Sequence, residues 1–379
     1  MKRSNIKWKH YISYIAIAVV TIIFSVLAMV GALPQSSAFL LEKVAISIIL
    51  AVSLSLVVGF LGELSLGHAG FMCVGAYLGG KVAALLVPTL GNGIVTLLIS
   101  LIVGGICAGI CGFIIGLPAL RLKGDYLAIT TLAFGEIIRT IFQNTSSESF
   151  GGAIGLPTPR FDKKYFFIIC FVMVLITLVV IQNLIRSKHG RAITAIRDNE
   201  IAARVTGINV TRYKLTGFIV AAVFAGLAGV LFSYTQSNVS SSTFTYNYSI
   251  EILVMVVLGG MGSINGSIIA AALITYLNTE LSTVLTGDLA VLKDLVYALI
   301  LILIVIYNNS PMFKNVREKY NLSTLLHRLT KNRFTKGETD DTGRWDVVPT
   351  KIKMDALLST DFVVNEITPD KPKEEENHE

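Results

Sequence analysis

Charge is what this sequence has least of. Asp, Glu, Lys and Arg make up 15% of its 379 residues, where a soluble domain carries about a quarter. Hydrophobic residues account for 53%, and the charge shortfall lies before residue 308. There, apolar runs recur at lengths near the roughly 20 helical residues that cross a hydrocarbon core of about 30 Å. A soluble domain is excluded on that count, and no nucleic-acid partner is expected. The composition predicts an all-α polytopic membrane protein. Its bundle would hold eight to ten transmembrane helices, with broken or re-entrant helices admitted, followed by a polar C-terminal tail.

Histidine and cysteine are scarce as well. The five histidines are scattered, and neither a metal cluster nor a nucleophile–base pair can be assembled from them, which argues against a membrane-bound enzyme. Cys73, Cys107, Cys111 and Cys170 all lie in apolar segments. Cys107 and Cys111 share a helical face with no His or carboxylate nearby, so they read as small core residues rather than ligands or a disulfide. No catalytic residue, metal or cofactor is expected.

A working nucleotide motif is missing too. The stretch Gly75–Val82, GAYLGGKV, comes within one residue of a P-loop, but Val82 stands where Ser or Thr must hold magnesium, and its flanks are membrane spans. Any ATP that drives this protein is hydrolysed by another chain.

What is present is a succession of apolar segments: 11–30, 44–61, 68–87, 94–117, 127–142, 165–185, 214–236, 248–262, 266–285 and 291–307. Lys and Arg gather in cytoplasmic loops. The connection 186–214 carries Arg186, Lys188, Arg191, Arg197, Arg204, Arg212 and Lys214 against Asp198 and Glu200, so it is assigned to the cytoplasm. Counting spans places both termini and the Arg121/Lys123 loop there too. The 143–164 loop, with Arg160, Lys163 and Lys164, is a mild dissent on the outer side. The domain reading is a basic N-terminus over 1–10, a membrane domain over 11–307 that opens on an uncleaved first span, and a cytoplasmic extension over 308–379. That extension starts as a basic segment suited to the membrane surface and is partly disordered. Segments 248–262 and 266–285, joined by GGMGSINGS, fit either two spans or one re-entrant pair.

Glycine supplies packing surfaces. Gly75 with Gly79, the series Gly105, Gly109, Gly112 and Gly116, and AGLAGV at 225–230 each make a small-residue face that lets helices approach closely in lipid. The ionisable residues Glu63, His68, Glu136 and Arg139 are rarer at membrane depth, where they pair or line an aqueous path. Glu136 and Arg139 stand three apart, the spacing of a helical ion pair. Glu63 and His68 lie close to the cytoplasmic start of their segment, where packing or a pathway role both fit.

The most informative stretch is RSKHGRAITAIRDNEIAARVTGINVTRYKL, 186–215. From Arg191 to Val205 it predicts a short amphipathic helix, with Ile193, Ile196 and Ile201 interleaved with Arg197, Asp198, Glu200 and Arg204, and Gly207 as its stop. Such a helix lies on the membrane surface or docks into a groove on a partner.

Here a resemblance enters. Ala202-Ala203-x-x-x-Gly207 is similar to the loop by which permeases of ATP-binding-cassette importers engage their ATPases, with Ile201 where a small residue is common. RLKGDYLAITTLAFGEIIR (121–139), GRAITAIRDNEIAARVTGIN (190–209), VVLGGMGSINGSIIAAAL (256–273) and LSLGHAGFMCVGAY in the early glycine-rich block resemble the LivM-type permease of branched-chain amino acid importers. The resemblance covers about residues 40–307. It implies a subunit of a bacterial inner-membrane transporter, with a second permease, two cytoplasmic ATPases, an extracytoplasmic binding protein, an amino-acid substrate and surrounding lipid as partners. Arg191, Arg197, Asp198, Asn199, Glu200, Ala202, Ala203 and Gly207 would form the coupling loop. Glu63, His68, Gly75, Glu136, Arg139, Gly259, Gly260 and Gly262 would line or pack the path, with half-helix ends at LGGMGSING offering backbone groups to the substrate. Permeases for urea and other amides share parts of the pattern. An ion-coupled secondary transporter would need several acids deep in its spans and two repeat halves, and Glu136 is the one such acid read here. A proton-conducting respiratory subunit would string lysines and glutamates mid-membrane, for which Lys81 and Glu136 are thin support.

Overall fold

The computed structural model describes residues 12–29, 34–122, 124–161, 166–284, 298, 299 and 302. The chain divides into two units, Met1–Asn309 and Ser310–Glu379, and every described residue belongs to the first. The expected N-terminal segment 1–10 and tail 308–379, nearly all of the span 291–307, and Lys123, Lys163 and Lys164 lie outside the described residues.

The described residues are mostly helical. In chain order the α-helices are α1 (Ile12–Met29), α2 (Gln35–Ser55), α3 (His68–Leu90), α4 (Ile94–Ala119), α5 (Asp125–Asn144), α6 (Ser147–Phe150), α7 (Phe166–Arg186), α8 (Lys188–Asp198), α9 (Glu200–Val205), α10 (Val210–Thr235), α11 (Tyr246–Gly259) and α12 (Ile264–Val284). Strands β1 (Leu156–Pro157) and β2 (Asn238–Val239) pair antiparallel, Leu156 opposite Val239. Among the described residues, five segments are long and apolar enough to cross a membrane: Gln35–Leu61, His68–Leu90, Ile94–Ala119, Phe166–Arg186 and Val210–Thr235. This is an all-α polytopic membrane protein with broken helices.

The segment read as 44–61 is longer than expected. Helix α2 begins at Gln35 and runs without a break into a π-helical turn, Leu56–Leu61. It is the central helix of the bundle, 94% buried over its apolar window and packed by α7, α10, α11 and α12. An apolar surface on all sides is what such a position requires. The added length brings Glu42 and Lys43 inside the helix, and Glu251 sits within α11. Glu136 is therefore not the one acid among the membrane helices.

Helices α3, α4 and α10 form a tight layer. On α4, Leu98, Ile102, Ile106, Ile110 and Ile114 are exposed at four-residue spacing and make an outward apolar stripe. Gly105, Gly109, Gly112 and Gly116 face Leu227, Val223, Ala222 and Leu215 of α10 instead. Gly75 of α3 meets α10 so closely that a Cβ would overlap the carbonyl oxygen of Gly226. The small-residue faces thus do the packing the sequence assigned to them.

Segments 248–262 and 266–285 are the separate helices α11 and α12, joined by a turn at Gly260–Ser263 in which Gly260 and Gly262 have φ of 89° and 83°. With 14 residues, α11 is about 21 Å long, short of a bilayer core of about 30 Å.

Candidate functional site

The predicted single helix Arg191–Val205 is two helices. Asn199 takes an extended conformation, φ −159° and ψ 105°, and its Oδ1 accepts from Ala202 N at 3.0 Å to start α9. Asparagine wins here because its side chain replaces the backbone partner that the first turn lacks. At the other end Gly207, φ 85°, lies just past α9 where a helix stop was expected.

The break re-aims the side chains. Ile193 and Ile196 of α8 are buried, and Ile196 packs with Ala203 and Val210. Ile201 and Val205 of α9 are 75% and 83% exposed, and Ala202 is exposed beside them while Ala203 is not. Arg191, in the first turn of α8, is exposed. One short helix therefore shows solvent two bare branched apolar side chains, while Glu200 at its start turns inward.

Arg197 makes the first inward link. Its guanidinium donates to the carbonyl of Gly59 in the π turn at 3.0 Å and to Asp198 Oδ1 at 3.0 Å. Gly59 in turn packs on Gly262, where a Cβ would overlap the Gly262 backbone nitrogen. Gly259 is pressed equally hard against Gly266 across the α11–α12 turn. Arg197, the end of the central helix and the glycine turn thus form one contiguous stack.

Lys214 makes the second. From the first turns of α10 its ammonium donates to the carboxylate of Glu63 and to Glu200 Oε2, the latter at 3.1 Å. The Lys214 side chain is only 6% exposed. Glu200 also pairs with Arg204 at 2.8 Å. Glu63 follows Gly62, whose φ of 78° ends the π turn and which a Cβ would drive into the side chain of Arg197. Glu63 belongs to this ion cluster, so of its two readings the packing one describes its contacts. Sequence reading counted Lys214 only as one more positive charge, because its carboxylates lie 151 and 14 positions away.

His68, Glu136, Arg139 and Gly75 lie elsewhere. Residues 62–67 are non-helical and lead back into the bundle. His68 opens α3, fully enclosed, with Nε2 2.8 Å from Ser53 Oγ. Ser53 belongs to α2 ahead of the π turn, so α3 begins inside the bundle rather than at its end. The start of α3 is tied to α5 and α11: Leu66 N donates to Thr131 Oγ1 and Ala69 N to Ser249 Oγ, both at 3.0 Å. Glu136 and Arg139 form the expected i,i+3 pair at 2.7 Å. Glu136 does more than that, because its other oxygen accepts from Tyr246 N at 2.8 Å and so closes the N-terminus of α11. Thr245, the residue before α11, makes no side-chain cap of its own.

A helical bundle with broken spans, gripped at one end by a short two-helix connection, defines a class: polytopic membrane proteins. The model of the family "Branched-chain amino acid transport system / permease component" matches residues 36–305. The chain belongs to that family. It is 38% identical over 285 residues to the high-affinity branched-chain amino acid transport system permease protein LivM of Salmonella typhimurium, covering 65% of each chain. Against the protein of the same name from Escherichia coli it is 38% identical over 268 residues, 62% of this chain and 61% of the relative. The ribose import permease protein RbsC of Escherichia coli is 29% identical over 165 residues, 42% of this chain and 47% of that one. The chain thus spans a little under two thirds of the length of its LivM relatives. No solved structure matches it.

Proposed function

We propose that this chain is the membrane subunit of an ATP-driven importer, carrying leucine, isoleucine and valine across the cytoplasmic membrane by alternating access. The family match over 36–305 supports it, and identity to LivM permeases favours amino acids over the ribose of the more distant relatives. Amide permeation is the alternative the sequence motifs leave, and ion coupling the alternative suggested by Glu42 and Glu251. On this reading the end bearing α8 and α9 faces the cytoplasm, as its basic charge suggests, with both termini on that side. Lipid lies against the exposed face of α4. A second permease, two ATPases and an extracytoplasmic binding protein complete the machine, and hydrolysis belongs to the ATPase chains.

The observation that carries the mechanism is the double grip on the connecting helices. An ATPase docked on Ile201 and Val205 would move α9, and Arg197 and Lys214 would pass that displacement to Gly59, Gly262 and Glu63. The helices that break near mid-bundle would then tilt together.

The test is to purify the chain with its ATPases in mild detergent and compare Ile201→Asp and Val205→Asp with wild type. Each variant is expected to weaken ATPase binding by about 2 kcal/mol or more, roughly thirtyfold, while the bundle keeps its thermal midpoint. Variants that retain the ATPases in full would remove α9 as the docking element. Wild-type chain that transports in proteoliposomes without ATP would overturn the importer reading in favour of ion coupling.

A further inference from the structure

On the side of the unit opposite α8 and α9, a cavity of about 550 Å³ opens between α2, α10, α11 and α12. That volume falls inside the range of about 300–1,000 Å³ typical of small-molecule sites. Its polar lining includes Lys43, Ser47, Tyr248, Glu251, Thr275 and Asn278. Phe39, Ile46 and Phe232 supply an apolar wall.

We propose that this cavity is an amino-acid site, with Lys43 facing the α-carboxylate, Glu251 the α-ammonium, and Ile46 and Phe232 the aliphatic side chain. The assignment rests on the importer reading above and deepens it.

Three observations carry it. First, a cation on α2 and an anion on α11 share one cavity within membrane helices. Ionisable groups among apolar helices are rare and mark functional sites, and a zwitterion needs one of each sign. Second, both are held by the lining. Glu251 Oε1 accepts from Asn278 Nδ2 at 2.8 Å, and the Lys43 ammonium lies 4.6 Å from the centroid of the Phe39 ring. Third, Thr275 lines the cavity with 7% exposure, and its buried Oγ1 has no hydrogen-bond partner among the described residues. A buried hydroxyl without a partner is costly, and an ammonium or carboxylate in the cavity would satisfy it. Neighbouring polar residues do not fill that role: Thr279 Oγ1 donates instead to the Thr275 carbonyl.

The cavity is also connected to the coupling end. Its walls α11 and α12 are the two helices joined by the glycine turn that packs on Gly59, next to Arg197. A shift of that turn changes the spacing of Glu251 on α11 from Thr275 and Asn278 on α12.

The experiment uses the complete transporter in proteoliposomes, with leucine as the transported probe and a diazirine analogue of leucine as the photolabel. In wild type the label is expected on α2, α10, α11 or α12 around the cavity, with excess leucine preventing it. Glu251→Gln and Lys43→Gln are expected to lower leucine uptake and labelling roughly tenfold or more, the scale of a lost hydrogen bond to a charged group. Thr275→Val keeps the side-chain shape and so preserves folding, and it is expected to raise the KM for leucine more than it lowers kcat. Photolabel on this chain only outside these helices, or all three variants transporting as wild type, would overturn the site while leaving the importer reading standing. A wild-type complex that hydrolyses ATP yet moves no branched-chain amino acid would overturn the importer reading and this site with it.

Discussion

Lys214→Met is expected to destabilise the end of the bundle that carries α8 and α9 by about 3–5 kcal/mol, the range for removing one partner of a buried ion pair. The change leaves the carboxylates of Glu63 and Glu200 facing one another without their shared cation. Glu63 is 13% exposed, so water does little to relieve it; Glu200, at 24%, is better hydrated and places the effect toward the lower figure. Adding Glu63→Gln to Lys214→Met should recover part of the loss, because the Glu63 charge left without its cation disappears, while Glu200 keeps Arg204. A double-mutant cycle on the thermal midpoint in detergent measures that recovery. Arg204→Met serves as the reference: Arg204 meets the same Glu200 but is 68% exposed, and exposed pairs contribute about 0–1 kcal/mol. Equal midpoints for Lys214→Met and Arg204→Met would mean that the buried cluster holds nothing together. Coupled ATP hydrolysis should fall with Lys214→Met and be spared by Arg204→Met.

Gly75→Leu is the second large effect. A Cβ at Gly75 would strike the backbone of Gly226 across the α3–α10 contact, and one at Gly229 would strike the carbonyl of Met72. Backbone on both sides leaves no flexible side chain to yield, so the helices must separate. Overpacking costs typically about 1–3 kcal/mol, and this site is expected at the upper end or beyond it. The thermal midpoint of the purified chain in detergent measures the cost of that separation. Gly93→Ala, where a Cβ would meet nothing within 4 Å, should leave the midpoint in place. A Gly75→Leu chain with an unchanged midpoint would contradict the close approach.

Much of this fold could be read from local pattern. Apolar runs with few charges located the membrane helices, and the close helical spacing of Gly105, Gly109, Gly112 and Gly116 identified the packed face of α4 because helix periodicity is a local property. Glu136 and Arg139 were legible as a pair for the same reason. The cap that Glu136 places on Tyr246 was not, since it joins residues 110 apart. The π turn at Leu56–Leu61 has no compositional mark; it is selected by how the central helix packs against Arg197 and the glycine turn. Two misses had visible signals. Asn199 followed by Glu200 is a helix-start pair that the amphipathic stripe through Ile193, Ile196 and Ile201 conceals. Lys43 escapes a reading in which the apolar run begins at residue 44, just after the charges. Glu251 escapes because it is a single acid inside the apolar 248–262 run, and the Asn278 it accepts from lies 27 positions away.

The carboxylate that closes the start of α11 belongs to α5. A helix that carries its own cap keeps it wherever the helix goes, but α11 keeps its cap only while it stays in register with a neighbour. Sliding α11 by one turn, about 5.4 Å, would carry Tyr246 N beyond reach of Glu136 and uncover that amide. The contact therefore acts as a latch between two rods, closed at one axial offset and open at others. Tilting of α11 about that point keeps it closed, and sliding along the axis opens it.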